Sequence, residues 1–177
     1  MDLSKLERIV VVGTSCAGKT TLARTLSGHL GVPHVELDAL YWGPNWTPRP
    51  DAAYRSEVAA AMATPAWVAD GNDSMLWPRA TSLVWLNYSF PRIYSRAIAR
   101  TLRRMVTREE LYAGNRESIR QIVEGDWIPW WVLRTFWRRR RELSRQLREP
   151  AAAQLQVFEF TKPQQGEHFL DVCSRLR

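Results

Sequence analysis

The 177-residue chain has only two cysteines. Cys16 and Cys173 lie far apart and in no metal-ligand spacing, which excludes a zinc site or a disulfide framework built from them. That scarcity fits a reducing compartment. The opening Met1-Asp2-Leu3-Ser4-Lys5 carries no secretory signal pattern, so a cytoplasmic location is expected. No uninterrupted apolar run approaches the ~20 residues of a membrane-spanning helix. Internal repeats, low-complexity segments and interdomain linkers are also lacking. A single domain over residues 1–177 is expected, and a hydrophobic content of 45% allows it a sizeable core.

Acidic residues are scarce in one region. The formal net charge is +7, and residues 92–149 hold fifteen arginines against seven acids. The remaining residues are nearly balanced, ten basic against eleven acidic. Such a segment faces something acidic, whether substrate phosphates, nucleic acid or a membrane surface, or is in part a solvated helical face.

What the chain does have is a complete G-x-x-x-x-G-K-[ST] pattern: Gly13-Thr14-Ser15-Cys16-Ala17-Gly18-Lys19-Thr20. The β-branched run Val10, Val11, Val12 precedes it, and Leu22, Leu26 and Leu30 follow at helical spacing. A strand–loop–helix unit is therefore predicted. A phosphate tail is multiply anionic, and many packed cations would repel one another. Backbone N–H groups donate without carrying full charge, and the helix start adds its own unsatisfied donors. Gly13, Ser15, Cys16, Ala17, Gly18, Lys19, Thr20 and Thr21 are the expected nucleotide-binding set. Lys19 would reach the β- and γ-phosphates, and the Thr20 hydroxyl would meet Mg²⁺. The expected cofactors are ATP and Mg²⁺. Cys16 reads as a small filler in this loop.

Further along, His34-Val35-Glu36-Leu37 predicts a second strand ending at Asp38, on the ligand side of a parallel sheet. Asp38 would accept a hydrogen bond from a substrate hydroxyl or remove its proton; the alternative is a turn or cap residue. Residues 41–50, with three prolines and a glycine, predict an irregular loop in which Trp42 and Trp46 line or cover a pocket, or pack on the core. Arg49 in the same loop would meet an anionic group. Asp51 to Ala63 reads as a helix, and Trp67-Val68-Ala69 as a third strand ending in Asp70. Asp70 is placed like the acid of a Walker B motif and would hold Mg²⁺ directly or through water; the alternative is an Asp-Gly turn. A fourth strand covers Leu83 to Leu86. In the helix that follows, Arg96, Arg100 and Arg104 share one face. Residues around 104–126 are expected to form a helical, mobile lid that brings Arg108 and Arg116 to the phosphates. The aromatics from Trp127 to Trp137 are expected to face the core of a helix running to about Arg148. Leu155 to Phe160 is a fifth strand, and a helix closes the chain.

Taken together, the loop at 13–20, Glu36-Leu37-Asp38-Ala39-Leu40, Trp67-Val68-Ala69-Asp70-Gly71-Asn72 and Arg108 through Glu117 resemble the nucleoside-monophosphate-kinase-like branch of P-loop proteins. The bacterial adenylate kinase-like or DNA topology modulation (FlaR-like) proteins are the nearest likeness. The resemblance covers nearly the whole chain. It implies an α/β, three-layer P-loop NTPase fold with a five-stranded parallel sheet flanked by helices. It also implies that Asp70 orients Mg²⁺ through water, that Arg96 and Arg100 touch adenine and phosphates, and that Arg116 and Arg120 stabilise the transferred group. Lys162 and Pro163 would lie in the adenine-binding loop. Asp38 resembles the substrate acid of shikimate and gluconate kinases. The Thr-Gly-Asp pattern of adenylate kinases is missing at that place, which favours a hydroxyl-bearing acceptor over a nucleoside monophosphate.

The Asn-Lys-x-Asp base-reading motif of GTPases and the Leu-Ser-Gly-Gly-Gln signature of ABC ATPases are absent. The expected function is an ATP-dependent phosphotransferase acting on a hydroxyl or phosphate of a small molecule or nucleotide. The catalytic set would be Lys19, Asp38, Arg108, Arg116 and Arg120, with Thr20 and Asp70 at the metal. The alternative is a nucleic-acid-binding protein with a regulatory ATP site. A third reading is a peripheral membrane protein using residues 127–145.

Overall fold

Short β-branched runs alternate with amphipathic segments, and the chain folds into layers accordingly. The computed structural model describes residues 6–116 and 127–175. In chain order the elements are β1 (Arg8–Gly13), α1 (Lys19–Leu30), β2 (His34–Glu36), α2 (Leu37–Tyr41), α3 (Asp51–Ala61), β3 (Trp67–Asp70), β4 (Ser82–Leu86), α4 (Phe90–Thr107), α5 (Ile128–Gln146), β5 (Gln156–Phe160) and α6 (Pro163–Ser174). The five strands form one sheet in the order β2-β3-β1-β4-β5. Every pairing is parallel, so each strand must return by a crossover. All strand C-termini therefore reach the same edge. Register sets Asp70 beside both Val11 and Glu36, which brings the loops after β1, β2 and β3 to one spot.

Alternation along β1 divides the core. Ile9 and Val11 face Leu22, Leu26, Ile93, Phe136 and Phe169 from α1, α4, α5 and α6. Val10 and Val12 face Tyr54, Val58 and Met62 around α3, together with Trp67 and Trp77. All four β1 side chains are fully buried, each contributing roughly 1.5–3 kcal/mol.

Four expectations change in the folded chain. First, β2 stops at Glu36, so Asp38 sits in the first turn of α2 rather than at a strand end. The cause is local: Leu37 is buried and packs over Gly71, where an added Cβ would stand 2.6 Å from Leu37 Cδ1. Second, the 41–50 segment is more ordered than its prolines imply. Tyr41 ends α2, Pro44–Trp46 forms a 3-10 turn, and Trp42 pairs with Pro48 in an isolated bridge.

Third, the expected lid at 104–126 begins on a helix and continues as a loop: residues 104–107 close α4. After α4 ends at Thr107, Arg108 takes φ 49°, and the chain folds back through a 3-10 turn at Tyr112–Gly114. A bridge between Glu110 and Arg116 closes this loop, while residues 117–126 lie outside the described part. Fourth, the α5 aromatics are mostly not core-facing. Val132 and Phe136, one helical turn apart, take the buried stripe, and Trp130, Trp131 and Trp137 fall on its exposed flanks. Among the described residues no helix is long and apolar enough to cross a membrane.

Candidate active site

The loop after β1 is held in shape from three sides. Gly13 has φ 153°, and a Cβ there would meet the Leu86 carbonyl oxygen at 3.0 Å, so only glycine fits. Asn72, at the end of β3, grips the Gly13 peptide on both sides: its Oδ1 accepts from Gly13 N (3.0 Å) and its Nδ2 donates to Gly13 O (2.9 Å). From α4, the Arg96 guanidinium donates to the Ala17 carbonyl at 3.0 Å. Cys16 takes φ 68° inside the loop. Gly18 precedes α1 in a left-handed conformation, and no side chain caps the helix. Its first-turn N–H groups are thereby left for an anion.

Behind the loop, carboxylates gather around Thr20. Its hydroxyl donates to Asp70 Oδ2 at 2.6 Å and lies 3.3 Å from Glu36 Oε1. The other Asp70 oxygen meets His34 Nε2 at 2.8 Å, and Asp70 is almost fully buried. Tyr112, from the 108–116 loop, donates its hydroxyl to Glu36 Oε1 at 2.5 Å. Burial and this bond to Glu36 push the Tyr112 phenol well above its ordinary range. Lys19 is half-buried, and burial lowers its pKa; Asp38 and Asp70 oppose that shift, and Arg100 reinforces it. Lys19 thus lies in the field of two carboxylates and a guanidinium.

A hydroxyl backed by carboxylates is the hard-oxygen donor set that suits Mg²⁺. Among the described residues no group of three or more His, Cys, Asp and Glu side chains is arranged to hold a metal by itself.

These groups open into one cleft of about 1820 Å³. Ser15, Cys16, Gly18, Lys19, Thr20 and Thr21 form its floor, and Asp38 lies on the α2 side with Trp42 and Trp46. Trp42 and Trp46 pack edge to face, 5.7 Å apart. Arg96, Arg100 and Arg104 line it from α4, and Arg134, Arg138 and Arg139 from α5. Gly13 and Ala17 shape the loop from behind, and Asp70 lies under Thr20.

Other expected residues stand elsewhere. Arg108 and Arg116 are exposed and outside the cleft lining; Arg116 pairs with Glu110. Arg120 lies outside the described residues. Lys162 and Pro163 begin α6 and do not line the cleft. Arg49 pairs with Glu57 instead of facing the cleft.

Sequence reasoning missed Glu36, Asn72, Tyr112 and Asn115. Asn115 is buried, accepts from Trp46 N at 3.0 Å and donates to Gly43 O at 2.8 Å, pinning the 108–116 loop to the 41–50 loop. The one sequence signal was Glu36, an acid at the end of β2. The contacts of Asn72 and Asn115 span 59 and 69 or more residues and leave no local trace.

No protein-family model and no curated protein matches the chain. Among solved structures it is similar to a candidate kinase from Chloroflexus aurantiacus, at 13% identity and TM-score 0.51, over 96% of this chain and 98% of the other. It is also similar to a shikimate kinase from Bacteroides thetaiotaomicron, at 18% identity and TM-score 0.50, over 96% and 97%. The five-stranded parallel α/β fold, flanked by helices, is therefore one it shares with such proteins over nearly its full length.

Proposed function

We propose that the chain is an ATP-dependent phosphotransferase that moves the γ-phosphoryl group of ATP to a hydroxyl or phosphate of a small molecule or nucleotide. The observation that carries this reading is that Lys19 and Asp38, from different elements, line the same cleft into which the 13–20 loop opens. The kinase names of the two similar structures support it, and so do the motifs shared with bacterial adenylate kinase-like proteins.

In this reading the loop N–H groups and Lys19 bind the phosphate tail. Thr20 and Asp70 would hold Mg²⁺, which supplies charge neutralisation between the phosphates when bound. Asp38 orients the acceptor hydroxyl and takes its proton as the oxygen bonds to the γ-phosphorus, while the bond from that phosphorus to the β,γ-bridging oxygen breaks and ADP leaves. Arg96, Arg100 and Arg104 stabilise charge on the transferring group, work that phosphoryl transfer needs more than covalent help. Trp42 and Trp46 wall the acceptor side and exclude water.

The test is transfer of labelled γ-phosphate across a panel of nucleoside monophosphates, nucleosides, sugars and polyol acids. Lys19→Ala is expected to lower transfer by about 10²–10³-fold or more while leaving the circular dichroism spectrum unchanged. A folded variant that retains full activity would refute the assignment.

A further inference from the structure

The α5 wall of the cleft is rich in tryptophan and arginine. Trp127, Trp130, Trp131, Arg134 and Arg138 recur at helical spacing on one face, and all line the cleft. Trp130 and Trp131 are 46% and 41% exposed. The Arg139 guanidinium lies 5.2 Å from the Trp131 ring centroid. Two buried donors on this wall, Arg139 Nε and Trp127 Nε1, have no acceptor among the described residues. Nine cationic side chains line the cleft against four carboxylates, an excess that one Mg²⁺-bound triphosphate does not cancel. At about 1820 Å³ the space also exceeds the roughly 300–1,000 Å³ of an ordinary small-ligand pocket.

We propose that this wall binds single-stranded nucleic acid, with bases stacked on Trp130 and Trp131 and phosphates met by Arg134, Arg138 and Arg139. Exposed rings interleaved with guanidinium groups suit an unpaired strand, because every base offers a π-face and every linkage a charge. From Trp127 to Arg139 a helix rises about 18 Å, the length of roughly five stacked nucleotides at about 3.4 Å each. A mononucleotide covers only part of that track. The rings Trp127, Trp130 and Trp131 face a concavity shared with the 13–20 loop, which a flat bilayer surface does not enter. The proposal goes beyond the phosphotransferase reading and is read without turnover, so either can fail alone.

The test is fluorescence anisotropy of a fluorescein-labelled oligo(dT) of about twelve nucleotides, titrated with the full chain at about 0.1 M salt and above. Saturable binding is expected, with log K falling as log salt rises. Arg138→Ala with Arg139→Ala should reduce the magnitude of that slope by about 1.4, from about 0.7 per phosphate contact on a single strand. Trp131→Ala should weaken binding about 5- to 150-fold, and Trp131→Phe should restore most of it. Circular dichroism checks that each variant is folded. If the alanine variants do not fold, Arg138→Lys with Arg139→Lys should keep the slope, because charge sets it. The proposal is overturned by no binding at about 0.1 M salt, by thymidine monophosphate competing as well as the oligomer, or by an unchanged slope in a folded arginine-to-alanine variant. Recruitment to phosphatidylserine vesicles without oligonucleotide binding overturns it as well.

Discussion

Asn72 does for the loop what no glycine can. Its side-chain amide satisfies both backbone polar atoms of Gly13, at the point where β1 turns into the 13–20 loop. Asn72→Ala leaves a part-buried N–H and C=O without these partners, which costs about 1–3 kcal/mol. Urea unfolding should show that loss, and the KM for ATP should rise because the loop is no longer held open.

A second residue-scale prediction concerns Cys173, fully buried and pushed by burial up to about 11 from 9.0. The folded thiol keeps its proton through that interval while the unfolded thiol loses it. The unfolded state therefore binds fewer protons there, so the contribution is intact below pH 9 and is lost as pH rises towards 11. Urea unfolding at both ends of that range should show a smaller alkaline loss for Cys173→Ala than for the native chain. Equal losses would mean that other groups carry the alkaline effect.

Among elements, the 108–116 loop and the 41–50 loop act as a clasp. Asn115 bonds both Trp46 N and Gly43 O, and Tyr112 bonds Glu36 at the end of β2. Both loops line the cleft, so their docking sets how Trp42 and Trp46 are presented. Asn115→Ala removes two bonds from a buried site, about 1–3 kcal/mol of local docking. Faster proteolysis or hydrogen exchange in residues 41–50 is expected, with the β1 and β4 amides unchanged. Uniform loosening of the whole sheet would instead assign Asn115 to the core.

At the scale of the whole molecule, a parallel sheet sends the loops that follow its strands to one edge, and the 13–20 loop and Asp38 line the cleft there. A nucleotide that fills the cleft binds the folded chain alone. ADP with Mg²⁺ at about 100 times its Kd should add about 2.7 kcal/mol, raising the thermal midpoint by roughly 5–10 °C for a domain of this size. Lys19→Ala should lose most of that shift. A native chain showing no shift at saturating ADP would remove the nucleotide site altogether.

The sequence by itself determined the strand–loop–helix unit at residues 8–30, the five-strand alternation and the clustering of arginine, because each is a local pattern. β-branched runs, glycines at fixed offsets and four-residue spacing act over a few bonds. It also pointed to Lys19, Thr20, Arg96 and Arg100, which the fold gathers into one cleft with Asp38. Only the tertiary structure decided that Asp38 rides on a short helix, where Leu37 packs over Gly71. Only packing chose Val132 and Phe136 over their tryptophan neighbours for the core, because a helix stripe a few residues wide cannot bury every ring beside it. The partners of Asn72, Tyr112 and Asn115 are 59 to 76 residues away. Contacts at that range are set by how sheet edge and loops converge, and no local stretch of sequence contains them.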